Sequence, residues 1–261
     1  MEFFTIGSAT HIGMKKKENQ DYHAYYSPEE GSRKGTLLAL ADGMGGRRGG
    51  ALASKIAVDV LMEAYYKDMS SRSIPEILEN AFQKANRTVI EKGQDDINLQ
   101  GMATTLTAVV LKGSRMYYAH VGDSRGYTIH RHRIIQFTED HSYVADLVRA
   151  GQISEEEAAS HPERNLITRA IGLNTELTVD APLKPRSLKK NQYVLLCCDG
   201  LHGVVPENEI LDAVRQYRSP DAISEKLVEK ANERGGPDNI TVLIARVDKI
   251  TLMSRCMNLV R

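Results

Sequence analysis

The chain has 261 residues, with 34 Lys and Arg against 34 Asp and Glu, and 41% of it is hydrophobic. That length and apolar share suit a globular core and exclude a disordered chain. Zero net charge excludes binding to nucleic acid or anionic lipid by bulk electrostatics, and no apolar run reaches the about 18 residues of a membrane helix.

Along the chain, Thr36 to Ala41 is a continuous apolar run followed at once by Asp42-Gly43-Met44-Gly45-Gly46. It reads as a buried strand ending in a glycine-rich turn. From Ala51 to Met69, Ala53, Ile56, Ala57, Val60, Leu61 and Ala64 recur at helical spacing. A second helix is expected from Pro75 to Lys92, closed by Gly93. Thr104–Leu111, Arg115–Val121, Tyr127–Ile129 and Arg133–Phe137 are short and rich in β-branched and aromatic residues, and glycines divide them. They predict an antiparallel meander. Ser154-Glu155-Glu156-Glu157 has the spacing of a capping box before a short helix. Tyr193 to Cys198 predicts a buried strand that runs into Asp199-Gly200. Ser219-Pro220 opens a helix, and Ile240 to Val247 is a last strand. Strands and helices come in blocks, which favours an α+β fold with antiparallel sheets inside and helices outside.

Three aspartates share a setting. Asp42 and Asp199 each follow an apolar strand and precede glycine, and Asp238 follows Gly235-Gly236-Pro237 and precedes a strand. Carboxylates gathered at the mouth of a sheet repel one another unless a hard cation stands between them. Asp21, after Glu18-Asn19-Gln20, and Asp123, within Gly122-Asp123-Ser124-Arg125, are further candidates. Any one Asp-Gly pair alone is most simply a turn.

The ordered set of Gly13 through Glu18-Asn19-Gln20-Asp21, Ala41-Asp42-Gly43-Met44-Gly45-Gly46, Thr104-Thr105, Val121-Gly122-Asp123-Ser124-Arg125, Asp140-His141-Ser142, Cys198-Asp199-Gly200-Leu201 and Gly236-Pro237-Asp238-Asn239-Ile240-Thr241 resembles the metal-dependent protein Ser/Thr phosphatases of the PPM (PP2C-like) class, in their compact bacterial form. The resemblance runs from about Thr5 to Val247. It implies a four-layer αββα sandwich within a domain over residues 1–247, a flap over about 140–173, and a short tail over 248–261. It implies two Mn²⁺ or Mg²⁺ ions and a third, weaker one. Asp42 then corresponds to the bridging carboxylate and the Gly43 carbonyl to a ligand of one ion. Asp199 and Asp238 correspond to ligands of the other ion. Asp21 holds the first ion directly or through water, and Asp123 shares the third with Asp199. The implied reaction is hydrolysis of phosphoserine and phosphothreonine in proteins by a metal-bridged water, against Ser/Thr kinases. The implied partners are kinase substrates and the kinase itself.

The chemistry is consistent with those roles. Phosphate monoesters hydrolyse slowly, so a site must supply a nucleophile and neutralise an anion, and paired divalent cations do both. An all-oxygen donor set suits Mg²⁺ and Mn²⁺ over zinc. No arginine lies six positions after Cys197 or Cys198, where Gly203 and Val204 stand, so the cradle of cysteine-based phosphatases is absent. Cys198 reads as a small packing residue.

The chain departs from the family at several places. Lys16 stands where an arginine commonly grips the substrate phosphate; it keeps the charge without the bidentate fork. Met44 and Arg47 stand where relatives carry histidines, so the resemblance leaves the proton donor unassigned. Ala103 replaces a common glycine before the threonine pair. His141 reads as a structural support of the flap, and His130 and His132, alternating with arginines, as an exposed polar face. Leu252, Cys256, Leu259 and Val260 in the tail fall at helical spacing.

Three functions remain open on these residues: an active protein phosphatase, an inactive PPM module that binds phosphoproteins or a regulatory partner, and a phosphatase of small metabolites. Presence of Asp21, Asp42, Asp199 and Asp238 favours the first. The expected state is a monomer. Three unpaired cysteines and a start, Met1-Glu2-Phe3-Phe4, without leader pattern make the cytoplasm the expected location.

Overall fold

The structure is a computed structural model, and it describes residues 3–29, 32–44 and 46–250. The predicted tail pattern from Thr251 onward, and the Arg47 side chain, lie outside what it describes. In chain order the elements are β1 (Phe4–His11), β2 (Asp21–Tyr26), β3 (Thr36–Met44), α1 (Gly46–Lys67), α2 (Ile74–Asp95), β4 (Ala103–Thr104), β5 (Leu106–Lys112), β6 (Arg115–Val121), β7 (Arg125–His130), β8 (Arg133–Gln136), α3 (Tyr143–Arg149), α4 (Glu155–Ser160), β9 (Arg186–Ser187), β10 (Tyr193–Cys197), α5 (Asp199–His202), α6 (Glu207–Gln216), α7 (Pro220–Glu233) and β11 (Ile240–Val247). A single 3₁₀ turn covers Ile97–Leu99.

The strands form two antiparallel sheets, ordered β1-β11-β10-β7-β8 and β2-β3-β5-β6-β9, with β4 pairing on the end of β3. Strand alternation sorts the side chains into three apolar layers. Leu37, Ala39 and Ala41 of β3, with Ala108 and Val110 of β5, pack against Ala53, Ala57 and Leu61 of α1 and Leu78, Phe82 and Ala85 of α2. Their neighbours Leu38, Leu40 and Val109 point the other way and meet Val194, Leu196, Leu243 and Ala245 of the second sheet. Leu195, Val242 and Ile244 face outward onto Ile210 and Val214 of α6 and Ile223, Leu227 and Ala231 of α7. These side chains are almost all fully buried, each Val, Leu, Ile or Phe among them contributing about 1.5–3 kcal/mol. The result is the expected αββα sandwich.

Several expectations change at the level of elements. The predicted meander is divided: β5 and β6 belong to one sheet, β7 and β8 to the other. Residues 122–124 carry the chain between sheets, with Gly122 at φ 117, a backbone conformation that favours glycine. β3 runs on through Asp42 and Gly43 to Met44 because Gly43 and Met44 pair with Thr104 and Ala103 of β4. α1 begins at Gly46 rather than Ala51, and α2 continues past the buried Gly93 to Asp95. α2 starts at Ile74 with Pro75 in its first turn, as expected, and the Ser73 N–H caps it by donating to Glu76 Oε2 at 2.7 Å. The Ser154 capping box closes with bonds of 2.8 and 3.2 Å. His130 ends β7 and His132 sits in the two-residue turn before β8, so the two do not alternate on one strand.

Candidate active site

The alternation that builds the middle layer also builds the site. On β3, Leu38 and Leu40 face the opposite sheet, so Asp42 faces the same way at the strand end. Asp21 pairs directly with Asp42 across β2 and β3. On the other sheet Val194, Leu196 and Cys198 share the inner face, as do Leu243 and Ala245; Thr241, two residues before Leu243, follows the same alternation. The apolar layer therefore ends in a polar cluster. The Thr241 hydroxyl donates to Asp21 Oδ2 at 2.6 Å. The Asp21 and Asp42 carboxylates and the Cys198 sulfur each offer an atom within 4.8 Å of the others. Asp199 opens α5 directly after Cys198, and Gly200 is required there because a Cβ would stand 1.8 Å from the Asn239 carbonyl. Asp123 lies on the turn between the sheets, and Asp238 immediately before β11.

The carboxylates feel one another. Burial raises the Asp42 carboxyl well above its ordinary range, and the charges of Asp21, Asp199, Asp123 and Asp238 add to the shift. Burial pushes Asp21 up to about 7, against the hydrogen bond from Thr241. Asp123 rises to about 8, first by burial and then through Asp199 and Asp140. Asp199 is raised by burial and by Asp238, while a hydrogen bond with Asp42 opposes the shift. Oδ1 of Asp21, of Asp123 and of Asp199 are buried with no hydrogen-bond partner. A buried orphan carboxylate oxygen costs free energy on the order of a few kcal/mol. Three of them, all hard oxygen donors in a set of mutually repelling carboxylates, fit divalent Mg²⁺ or Mn²⁺.

The backbone around Asp42 is tightly held. Its N–H donates to Thr105 Oγ1 at 2.8 Å, and its carbonyl accepts from Thr105 N at 2.9 Å and Thr104 Oγ1 at 2.8 Å. Thr105 Oγ1 in turn bonds Ser124 Oγ at 2.8 Å, tying the Asp123 turn to the Asp42 strand. Gly43 is required by close approach, since a Cβ there would fall 2.1 Å from the Gly50 carbonyl of α1.

Lys16 reaches in from the β1–β2 loop, its Nζ 2.5 Å from Asp238 Oδ1. Partial burial lowers its pKa, but the bond to Asp238 and the charges of Asp238, Asp199 and Asp42 outweigh this and leave it raised. Asn239 holds that loop in place. Its Oδ1 accepts from Gln20 N at 2.8 Å, and its Nδ2 donates to the carbonyls of Ile12 and Glu18, both at 2.9 Å. Gly13, at φ 80, lets the loop pass against Asp238.

Residues without an assigned role on sequence alone now have one. Asn239 and Thr241 were visible only as part of a motif; their partners lie over 200 residues away in sequence. Cys198 does more than fill space: its thiol donates to Asn239 O at 3.3 Å and accepts from Thr241 N at 3.1 Å. The imidazole of half-buried His202 bonds the Asp123 carbonyl at 3.0 Å. Burial, then Arg125, drives it down to about 3, so it stays neutral and carries no proton to spare. His141 accepts from Gly122 N at 3.1 Å through Nδ1, so Nε2 carries the proton and donates to Asp180 at 3.1 Å. His141 N–H also donates to the Gly122 carbonyl at 2.8 Å. Asp140 receives the Arg125 guanidinium on both oxygens, at 2.9 Å and 2.7 Å on the closer one. The Asp140-His141 pair thus braces the two flanks of Asp123. Met44 is a strand residue beside Ala103 and offers no proton.

The chain is similar to known phosphatases in both sequence and fold. A family model described as protein phosphatase 2C matches residues 9–235. The serine/threonine phosphatase stp of Listeria monocytogenes serotype 4b is 36% identical over 242 residues, covering 92% of this chain and 94% of the relative. A serine/threonine phosphatase of S. agalactiae superposes with a TM-score of 0.87 at 35% identity, covering 94% of this chain and all of that one. The catalytic domain of the phosphatase PstP, solved in complex with two manganese ions, superposes at 0.80 with 33% identity over 94% of this chain and 99% of that one. With the fold, the ordered motifs and these likenesses in agreement, the chain belongs to the protein phosphatase 2C family.

Proposed function

We infer that the protein is a metal-dependent protein serine/threonine phosphatase. The observation that carries this is the gathering of Asp21, Asp42, Asp123, Asp199 and Asp238 at one end of the inter-sheet layer, with three buried carboxylate oxygens lacking partners. In our assignment Asp42, the Gly43 carbonyl and Asp21 would hold one cation, Asp42 with Asp199 and Asp238 a second, and Asp123 with Asp199 a weaker third. Bound Mn²⁺ or Mg²⁺ supplies activation of a water and neutralisation of the phosphate charge. The chain's own groups set the geometry. Thr105 and Thr104 fix the Asp42 backbone, Thr241 orients Asp21, and Asn239 positions the loop that carries Lys16. Lys16 meets the substrate phosphate as a point charge, because its ammonium already stands over Asp238 within the field of Asp199 and Asp42.

The substrates are phosphoproteins. We further propose that they are targets of a Ser/Thr kinase, together with the kinase itself, and that the protein acts as a cytoplasmic monomer whose catalytic domain spans residues 1–247. Buried, unpaired Cys197 and Cys198 are consistent with a reducing compartment. Among the described residues, no helix is long and apolar enough to cross a membrane. The direct test is phosphate release from p-nitrophenyl phosphate and phosphothreonine peptides with Mn²⁺, and its loss in EDTA. Folded protein that binds these peptides without releasing phosphate would make it a phosphoprotein-binding module instead.

A further inference from the structure

At the end of the first sheet away from the carboxylates, the β7–β8 hairpin and the segment before β10 enclose a cavity of about 400 Å³ lined by His130, Arg131, His132, Arg133 and Lys189. Every lining residue is a cation or can become one. Some exposed lysines elsewhere lean on carboxylates, as Lys55 does on Asp59 and Lys67 on Glu63. Among the described residues no such ion pair forms at Arg131, Arg133 or Lys189, and the charges that act on His130 are those of Arg131 and Lys189. Arg131 holds φ at 57°, a left-handed position where Gly or Asn is preferred in a two-residue hairpin turn. A long cationic side chain there costs conformational free energy that a neutral turn residue would avoid.

We propose that this cavity is a second anion subsite, which takes a phosphate dianion remote from the reacting one: a further phosphoresidue on the substrate protein. The inference rests on the phosphatase reading above. Three permanent cations facing solvent, Arg131, Arg133 and Lys189, with two imidazoles beside them, suit the charge and size of a phosphate group. The spacing follows from the fold. β7 is six residues long and joins the Asp123 turn to the cavity, a span of about 20 Å at about 3.4 Å per residue. An extended substrate would therefore carry its second phosphate at least about six residues from the one being hydrolysed. Tethering by the first site raises the local concentration of the second phosphate, so weak binding in the cavity lowers KM without touching kcat.

The test compares Mn²⁺-loaded full-length protein on two peptides, one with a single phosphothreonine and one with two, eight residues apart. The variant Arg131→Gly, Arg133→Gln, Lys189→Gln removes the charges, and glycine suits the backbone at residue 131. A lower KM for the doubly phosphorylated peptide, on the order of threefold to tenfold by avidity, should disappear in the variant while p-nitrophenyl phosphate kinetics stay unchanged. In a second arm, inorganic phosphate is titrated while the His130 and His132 ring resonances are followed by NMR. Shifts that vanish in the variant, without any peptide advantage, would keep the subsite but make free phosphate its occupant. No peptide advantage and no shifts would overturn the subsite. Failure to hydrolyse any of the substrates would instead count against the phosphatase reading, and the resonance arm would still decide the subsite.

Discussion

Asp21 and Asp42 stand directly opposite each other on antiparallel β2 and β3, both on the face that turns toward the second sheet. Like charges in that relation destabilise a sheet. Burial first, and neighbouring carboxylates after it, raise the carboxyls of this cluster: Asp21 rises to about 7, Asp42 goes well above its ordinary range, and Asp123 rises to about 8.

That relation sets the pH dependence of the metal-free fold. Between pH 7 and 8.5 the unfolded chain has all its carboxylates ionised, whereas the folded chain retains protons on these aspartates. The folded state binds more protons, so stability falls as pH rises through this window, by about 1.4 kcal/mol per pH unit for each extra proton. Two histidines are depressed by burial, His202 to about 3 and His120 to about 4, and titrate below the window. Thermal unfolding in EDTA should therefore show a Tm several degrees lower at pH 8.5 than at pH 7. Excess Mg²⁺ should cancel that fall and raise Tm at both pH values, since it binds the ionised folded form. A Tm that is flat with pH in EDTA and unmoved by Mg²⁺ would contradict the carboxylate cluster.

Asp42→Asn keeps the shape of the side chain and removes its charge. It should lose more than about nine-tenths of kcat at saturating Mn²⁺, with weakened metal binding by calorimetry. Asp199→Asn and Asp238→Asn should behave nearly alike. Near-normal turnover by Asp42→Asn would remove it from the bridging position.

Lys16→Ala should raise KM for phosphopeptides, and Lys16→Arg should keep or lower it by restoring a two-pronged contact. Lys15→Ala serves as the control, because Lys15 has no comparable contact with Asp238. Equal kinetics for the two alanine variants would return Lys16 to the solvated surface.

Asp123→Ala should lower kcat on phosphothreonine peptides strongly, and less on p-nitrophenyl phosphate, whose leaving group scarcely needs a proton. Calorimetry with Mn²⁺ should still find two tight sites. Equal losses on both substrates, or loss of the tight sites, would deny Asp123 a selective role.

Much of this was legible in the chain. A carboxylate set between a buried strand and a glycine is a local pattern, and Asp42 and Asp199 carry it openly. The layers were legible too, because alternation in Leu37–Ala41 and periodicity in α2 follow from nearest-neighbour geometry. What stayed hidden depends on distant partners. Arg115–Val121 and Arg125–His130 look like consecutive strands of one sheet, and only the packing of β6 on β5 and of β7 on β10 parts them. β1 and β2 mix polar and apolar residues and form through pairing with β11 and β3. α6 was missed although Ile210, Ala213 and Val214 fall on one face. Asn239 shows only as a member of a motif, because the three partners of its side chain come from the first 20 residues.

The bond from Thr241 to Asp21 and the ties from Asn239 to the Lys16 loop join the two ends of the described chain. During synthesis, Asp21 and Lys16 emerge early and must wait for β11 before either has its supporting contacts. A nascent chain on the ribosome thus cannot assemble the centre until residues 238–241 have been made. A chain cut short before β11 should therefore be silent rather than partly active.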